Sequence, residues 1–398
     1  MQDAFDIVRA MPQDAHAVFR QAKLLVARGE CTEALLALDA VLQAAPEMPS
    51  LLSYVAYCQM QTGDLEGSAK TCARALQQEP MEFRAIAILR QLPAHISSQH
   101  SQVVEEHHRK AAEAHAREGI TDPPQPPSHL NVQASSDLTL ITSVNSLYFG
   151  CVANHIGSVQ LREPGLRILL YDLGLDPLEK LVAREWRSVT LVPFPFQDYP
   201  PHVRNLRNYA WKPLVYKHAL ASHRKVFYQD SGQEVWQRLG KIDSIIERDG
   251  YMFVMQGERT LPDKIHPSMF KVMGLDPKDF AGKDMCAGGI QGYRNDSLAV
   301  DEVLSATVAC ALNPRCIAPD GADQSNHRFD QSAFSINMAS GMYRCHNSWL
   351  FRAYLEPHRL KEADTHDVGD GFGTLHPIIF SRRCGPPFTY FPVMRSLR

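Results

Sequence analysis

Residues 17–46 read AVFRQAKLLVARGECTEALLALDAVLQAAP, and this stretch has the pattern of two short helices joined by a tight turn. Apolar residues recur at spacings of three and four on both sides of Gly29, which is the period of an amphipathic helix. Glycine accepts the left-handed backbone conformation that ends a helix, and Pro46 stops the second helix or opens the next one. The stretch therefore predicts a helical hairpin.

The same pattern returns at a fixed interval along the N-terminal third of the chain. Gly29 and Gly63 are 34 residues apart, Pro46 and Pro80 share that interval, and Pro12 lies one interval earlier. A period of 34 with a small residue at the turn and proline after the second helix is the signature of tetratricopeptide repeats. We predict an α-helical solenoid of this type.

The repeat module is predicted to occupy residues 1–120. Two full repeats would follow a helix over about residues 2–11, another helix would begin near Glu82, and a polar helix would run over about 99–117. Stacked repeats bury a continuous core and present a concave groove. We expect that groove to be a docking surface for a peptide or partner protein, or else a platform that braces the second domain.

A proline-rich segment, TDPPQPPSHLNVQASSD (121–137), predicts an extended linker before a second domain over residues 138–398. In that domain short apolar runs alternate with helical stretches, which favours a mainly parallel, mixed sheet with helices on both faces. The predicted strands are LTLITSV (138–144), LRILLYDLG (166–174), VTLVPF (189–194), KVFYQD (225–230) and YMFVMQ (251–256). The predicted helices cover about 150–161, 177–184, 211–222 and 299–312.

The composition excludes several classes of protein. Of 398 residues, 44% are hydrophobic and 21% charged, and the formal net charge of -3 leaves no basic excess for nucleic acid. No apolar run approaches the roughly 18 residues that span a bilayer, and the first residues show no secretory signal. Nine dispersed cysteines without a CxxC pair predict reduced thiols. Together these features predict a cytoplasmic protein.

Common motifs of nucleotide-binding and nucleophilic enzymes are absent from the second domain. There is no GxGxxG after the first strand, no GxxxxGK[ST] and no GxSxG, which disfavours a dehydrogenase, a P-loop enzyme and a serine hydrolase. Ligands of such sheets bind beyond the carboxyl ends of the strands. That rule places residues 143–145, Asp172 and Asp230 at one edge of the predicted sheet.

Three segments in order carry a resemblance to known enzymes: WKPLVYKHALASHRKVFYQD (211–230), CAGGIQGYR (286–294) and HRFDQSAFSI (327–336). They resemble glycosyltransferases of the glycosyltransferase-A fold, particularly the glycogenin-like retaining group. They also resemble uncharacterised nucleotide-diphospho-sugar transferase-like domains that share YDLGL, WKP and DQS. The resemblance covers about residues 138–380.

The resemblance implies an enzyme that transfers a hexose from a nucleotide-diphosphate sugar to an acceptor. The acceptor is not identified by the sequence, and a protein recruited by the repeats is one candidate. Two alternatives stand beside the enzyme. One is a degenerate domain that binds nucleotide sugars without turnover, and the other is a scaffold whose repeats are its active part.

The resemblance also implies a divalent cation site after the fourth predicted strand. Metal-dependent members hold Mn²⁺ or Mg²⁺ with an Asp-x-Asp at a strand end, and here Asp230 is present while Gly232 replaces the second Asp. His376 would supply a further ligand from the C-terminal segment, with His346 and His366 as alternatives. If no metal binds, Lys212 and Arg328 would neutralise the diphosphate directly.

Further roles follow from the same resemblance. Asp330 and Gln331 match an Asp-Gln pair near the reacting sugar carbon, where Asp330 would stabilise an oxocarbenium-like transition state or act as a general base. Lys212, at a helix start, suits a phosphate contact. The predicted catalytic residues are thus Asp330, Gln331 and Lys212. The predicted donor-binding residues are Asn145, Asp172, Asp230, Ser231, Gly288, Gly289 and Arg328.

Several of these residues also have purely structural interpretations. Asp330 is placed to cap the helix that follows it, and Asp172 and Asp230 are each placed to begin a turn. Gly288 and Gly289 are expected in a loop that admits the sugar against bare backbone, or in an ordinary tight turn.

Overall fold

The computed structural model describes residues 15–48, 50–79, 82–100, 132–341, 343–346, 351–353 and 379–381, together with residues 109, 390 and 392. The first part is helical throughout. Its helices are α1 (Ala15–Ala27), α2 (Cys31–Ala44), α3 (Leu51–Gln61), α4 (Leu65–Gln78), α5 (Phe83–Gln91) and α6 (Ala94–Ser97).

The predicted repeat geometry is present in these helices. Gly29 and Gly63 separate α1 from α2 and α3 from α4, with φ values of 80° and 91°. Glu82 lies before α5, where its side chain accepts a 3.0 Å hydrogen bond from the backbone N–H of Arg84. The helix predicted over 2–11 and nearly all of the one predicted over 99–117 lie outside the described residues.

A six-stranded sheet, in the order β3-β2-β1-β4-β7-β6, forms the centre of the second part. Its strands are β1 (Leu138–Val144), β2 (Arg167–Asp172), β3 (Val189–Pro193), β4 (Lys225–Gln229), β6 (Tyr251–Thr260) and β7 (Asp284–Arg294). The first four pair in parallel, whereas β7 runs antiparallel to β4 and to β6. A smaller sheet joins β5 (Gln233–Val235), β8 (Phe351–Ala353) and β9 (Ile379–Ser381). The predicted mainly parallel, mixed sheet is confirmed.

Helices cover both faces of the large sheet. They are α7 (Phe149–Arg162), α8 (Pro177–Glu185), α9 (Trp211–Leu220), α10 (Gly240–Asp249), α11 (Pro267–Met273), α12 (Ser305–Ala311), α13 (Pro314–Ile317) and α14 (Asp330–Ser340). Every residue of β1 is buried because both faces of a central parallel strand are covered. Leu140 contributes to one core and Ile141 to the other, as expected for alternating side chains. Within the described part of the chain, no helix has the length and apolarity to cross a bilayer.

The prediction of reduced thiols is wrong for the second part of the chain. Cys286 is disulfide-bonded to Cys345, Cys310 to Cys316, and Cys151 is also disulfide-bonded. The first pair is 59 residues apart in sequence, so spacing alone gave no sign of the contact. Among the described cysteines, the free ones are all buried in the repeats: Cys31, Cys58 and Cys72.

The disulfides give a simple expected result. In protein isolated without reductant and unfolded in denaturant, at most three of the nine cysteines should react with a thiol reagent, since the two described pairs and the disulfide of Cys151 hold six of them. Reduction should also lower the free energy of unfolding, by about 4 kcal/mol for the 59-residue loop on the chain-entropy estimate. Prior reduction, the control, should release all nine thiols. Nine reactive thiols without reduction would contradict the disulfides.

Candidate active site

The carboxyl ends of β1, β2 and β4 meet at one edge of the sheet because the three strands are parallel neighbours. Val144, the last residue of β1, is paired with Asp172 at the end of β2, and Asn145 follows directly. Asp230 follows β4, and its backbone N–H donates to the carbonyl of Gly289 in β7 at 3.0 Å. The structure thus brings together the sheet-edge residues predicted from strand order.

Lys212 lies at the centre of this edge, in the first turn of α9. Its side chain is buried, with Nζ 3.0 Å from Oδ1 of Asp230 and 3.6 Å from Oδ2 of Asp330. Burial lowers the pKa of Lys212, but Asp230 and Asp330 outweigh it, so the pKa is well above its ordinary value. A permanent positive charge is therefore held at the sheet edge.

Asp330 is the buried carboxylate of the cluster. Burial raises its pKa to about 6; Lys212 opposes this rise, and the negative charge of Asp230 adds to it. Asp330 is the first residue of α14, and its carboxyl also accepts a hydrogen bond from the backbone N–H of Gln331, which lowers its pKa. The contact with Lys212 joins this buried carboxylate to the ammonium group.

Asp230 is the accessible carboxylate of the cluster, with 45% of its side chain exposed. Its Oδ1 accepts a 2.9 Å hydrogen bond from the hydroxyl of Tyr228 as well as the contact from Lys212. One carboxylate of the pair is thus open to solvent while the other is enclosed.

The two predicted sugar-admitting glycines lie inside strand β7, so their assignment to a loop or tight turn is wrong. Pairing with β4 on one side and β6 on the other makes this segment a strand despite its glycines. A Cβ at Gly289 would overlap Oδ2 of Asp230, and one at Gly288 would lie 2.9 Å from Cβ of Gln331. The glycines therefore allow the carboxylate and α14 to approach the bare strand.

This geometry predicts a sharp effect for Gly289→Ala. The added methyl group should displace the Asp230 carboxylate and, with it, the Lys212 ammonium group that contacts it at 3.0 Å. Binding of a nucleoside diphosphate should then weaken about tenfold or more, since a hydrogen bond to a charged group is worth about 1.5–3 kcal/mol. Titration calorimetry measures the affinity. Gly165→Ala is the matched control, because a Cβ there meets no atom within 4 Å. Equal affinities of the two variants would show that the close approach at Gly289 is unimportant.

Two other predicted site residues, Gln331 and Asp172, form hydrogen bonds within the protein. The Nε2 of Gln331 donates to the carbonyl of Cys286 at 2.8 Å, so its amide nitrogen joins α14 to β7. Oδ1 of Asp172 accepts from the N–H groups of Gly174 and Leu175 at 2.8 and 2.7 Å, and Oδ2 pairs with Lys180 at 3.0 Å. These are the contacts of a turn; a ribose contact from Asp172 stays a prediction.

Asn145, Ser231 and Arg328 complete the set of predicted donor-binding residues. Oδ1 of Asn145 is buried and has no hydrogen-bond partner among the described residues, which leaves an acceptor for a ligand donor. Ser231 is half-buried in the turn after Asp230, and Arg328 is half-buried two residues before Asp330. Their roles in donor binding stay predictions.

Aromatic residues that the sequence reasoning missed surround Lys212. Its Nζ lies 5.3 Å from the ring centre of Tyr209, 5.6 Å from Trp211 and 5.4 Å from Tyr228. Tyr228 could have been found, since it lies two residues before Asp230 and alternate residues of a strand share a face. Such rings stabilise a buried ammonium group and shield it from water.

Two of the four described non-glycine residues with positive φ lie next to this cluster. Tyr209 and Phe329 have φ values of 53° and 50°, in the left-handed region that favours glycine. They immediately precede the segments that carry Lys212 and Asp330, and their rings lie 6.1 Å apart. Strained non-glycine residues cost about 1–3 kcal/mol each and cluster at functional sites. No sequence signal identified these conformations.

The described residues do not by themselves fit a bound Mn²⁺ or Mg²⁺. No group of three or more His, Cys, Asp or Glu side chains in the described ranges could hold a metal ion. The cation nearest Asp230 is the ammonium group of Lys212, and Gly232 supplies no carboxylate. His376 lies outside the described residues. Metal binding therefore stays a prediction, and no chemical step below depends on it.

Two family models match separate parts of the chain. A tetratricopeptide repeat family model matches residues 25–92, which confirms the predicted repeats. A family described as a protein of unknown function (DUF1647) matches residues 120–217, a segment that includes Lys212. No curated protein matches the chain.

Similar solved structures are glycosyltransferases. An active-site mutant of LgtC has 14% identity and a TM-score of 0.40, covering 62% of this chain and 88% of its own. The galactosyltransferase LgtC with donor and acceptor sugar analogues has the same identity and score, with coverages of 62% and 87%. The bifunctional glycosyltransferase WbbM, in its apo form, has 11% identity and a TM-score of 0.40, with coverages of 64% and 47%.

Proposed function

We propose that the α/β domain transfers a hexose from a nucleotide-diphosphate sugar to an acceptor hydroxyl. The observation that carries the proposal is the buried ammonium group of Lys212, held between Asp230 and Asp330 at the carboxyl edge of the sheet. A diphosphate is an anion, and a preorganised cation in a water-poor site stabilises negative charge strongly. The sequence resemblance to the glycosyltransferase-A group supports the same function.

The reaction needs charge stabilisation on both sides of the breaking bond. As the bond between the anomeric carbon and the diphosphate oxygen breaks, its electron pair stays on the diphosphate, where Lys212 would stabilise the added charge. The sugar becomes positively charged. An ionised Asp330 would either stabilise it while the departing diphosphate takes the proton that the acceptor hydroxyl loses, or take that proton itself. The two versions lead to retaining and inverting outcomes, and both use the same residues.

The nucleoside part of the donor would bind along the ends of β1 and β2. Asn145 offers its buried acceptor oxygen there, and Leu147 and Tyr148 follow with 77% and 45% exposure. Exposed apolar side chains beside an unsatisfied acceptor form the kind of surface that a base and ribose cover.

Binding of nucleoside diphosphates and nucleotide sugars, with and without Mn²⁺, tests the proposal. Calorimetry should detect binding of at least one nucleotide, and product analysis should detect release of the diphosphate from its sugar. Binding without turnover would favour the degenerate binding domain, for which the missing carboxylate at Gly232 is the main support. Absence of binding throughout the panel would refute a donor site.

The repeats extend the proposal to the acceptor. Repeat arrays present concave surfaces that bind peptides and proteins, so we include a protein acceptor recruited by this module. A cytoplasmic location remains a prediction. That prediction rested in part on reduced thiols. The described disulfides contradict this premise, because disulfides persist mainly in oxidising compartments. The thiol count described above tests this point.

A further inference from the structure

The repeat array is packed directly against the α/β domain. Phe83 of α5 lies 6.2 Å from the ring of Phe149 and 6.4 Å from that of Trp186, and these two rings stack at 5.4 Å. The guanidinium of Arg84 lies over Phe149, 5.5 Å from its ring centre. Phe149 begins α7, the helix that follows the β1 end of the proposed donor site. The interface therefore reaches an element of that site.

A polar contact lies beside these rings. The hydroxyl of Tyr54 in α3 donates to Oδ2 of Asp176 at 2.5 Å, and both side chains are buried. Nζ of Lys23 lies 3.8 Å from the same oxygen and 3.6 Å from Oε1 of Glu179. Carboxylates this buried require partners, because removing one partner leaves an uncompensated charge. The repeats supply the hydroxyl and the cation.

Asp176 and Glu179 hold the two loops at the carboxyl ends of β1 and β2. They form a capping box at the start of α8, with hydrogen bonds of 2.9 and 3.0 Å between each side chain and the other's backbone N–H. Ser146, next to Asn145, donates its hydroxyl proton to Glu179. Its backbone N–H donates to the carbonyl of Gly174 at 3.1 Å. One hydrogen-bonded network therefore joins both loops.

We infer that the repeat array is a structural part of the donor site, and that Tyr54 is a positioning residue for its nucleoside-binding loops. This inference rests on the proposed function for its ligand, a nucleoside diphosphate. Its structural basis is a separate chain of hydrogen bonds. The Tyr54 hydroxyl donates to Asp176, which in turn accepts from the backbone N–H of Glu179. The Glu179 carboxyl accepts from the hydroxyl of Ser146, which is next to the unpaired amide oxygen of Asn145.

The variant Tyr54→Phe tests the inference because it removes only the hydroxyl. The ring that packs edge-on against Phe19 at 5.5 Å is kept, so the repeat core should stay folded. Arg90→Gln is the matched control: Arg90 is at the same interface but contacts Glu185 at the far end of α8, 3.5 Å away. Both variants lose one polar contact between the repeats and the same helix.

Hydrogen exchange gives a readout that needs no ligand. In Tyr54→Phe the backbone amides of Ser146, Asp176 and Glu179, which donate hydrogen bonds within this network, should exchange about tenfold faster, as for loss of a hydrogen bond to a charged group. Arg90→Gln should leave these amides unchanged. Unchanged exchange in Tyr54→Phe, or equal acceleration in both variants, would overturn the inference.

Affinity for the diphosphates of uridine, guanosine, adenosine and cytidine gives the second readout. Tyr54→Phe should bind the preferred nucleotide about five- to tenfold more weakly than Arg90→Gln, because in Tyr54→Phe ligand binding must also order the two loops. Both affinities are measured at the same interval below each variant's melting temperature, so that a difference in stability does not contribute. Equal affinities would overturn the positioning role. If the wild-type protein binds neither these four diphosphates nor any of the nucleotide sugars, the proposed function fails. Faster exchange in Tyr54→Phe alone would then still establish that the repeat array orders the two loops.

Discussion

Lys212→Met is expected to reduce turnover about 100-fold or more and to weaken binding of nucleoside diphosphates in parallel. The side chain keeps its bulk but loses the charge that lies 3.0 Å from Asp230 and 3.6 Å from Asp330. Loss of one preorganised charge-stabilising group typically costs about 10²–10³ in rate. Because Lys212 lowers the pKa of Asp330, its removal should raise that pKa further. Steady-state kinetics and calorimetry measure both effects.

The same substitution should also change stability, since removing one partner from a buried ion pair costs about 3–5 kcal/mol. Asp330 can relieve part of this cost by taking up a proton, so the loss should be smaller at pH 5 than at pH 8. Lys217→Met is the control, because Lys217 is on the same helix but exposed. If Lys212→Met and Lys217→Met bind and turn over equally well, Lys212 has no role in the site.

Asp330→Asn is expected to lose turnover while keeping its nucleotide. The amide fills the same space but carries no charge, so it can neither stabilise a positively charged sugar nor accept a proton. We expect a fall of about 10²–10³ in turnover. Affinity for a nucleoside diphosphate should be unchanged or tighter, because a negative charge near the diphosphate has been removed. Asp320→Asn, at an exposed position, is the control.

The pH profile provides an independent check on Asp330. Its pKa of about 6 predicts that turnover in the wild-type protein rises with pH through 6, with about a tenfold loss at pH 5 relative to the plateau. Folding raises this pKa above its ordinary value, so the folded state binds the proton more tightly, and acidification from about pH 6 to 4 stabilises it. Lost activity near pH 5 should therefore not coincide with unfolding caused by this residue. A flat profile, or an unchanged one in Asp330→Asn, would contradict the assignment.

Much of the secondary structure was predictable because its signals are local. LTLITSV, a run of apolar and β-branched residues, became β1 with the predicted bounds, and the helix predicted at 177–184 became α8. The 34-residue interval also predicted the turns at Gly29 and Gly63, since a left-handed residue ends each first helix. Periodicity reports which face of a segment is buried, and that information is contained in a short window.

The site was predictable in part. Strand order placed Asn145, Asp172 and Asp230 at one edge, because parallel strands put their carboxyl ends together. The segment with Gly288 and Gly289 was misassigned, because glycines in a short window indicate a loop. Only pairing with β4 and β6 on either side makes that segment a strand.

The sequence by itself determined the repeat period, the alternation of strands and helices, and the edge at which polar residues collect. The tertiary structure alone decided the distances between Lys212 and the two carboxylates, the disulfide between Cys286 and Cys345, and the contact of Tyr54 with Asp176. The last two join residues separated by 59 and 122 positions. Local patterns reflect the burial of one segment, whereas a pair contact depends on the path of all the chain between its members. For that reason the raised pKa values of Lys212 and Asp330, and the packing of the repeats against the α/β domain, arise only in the folded protein.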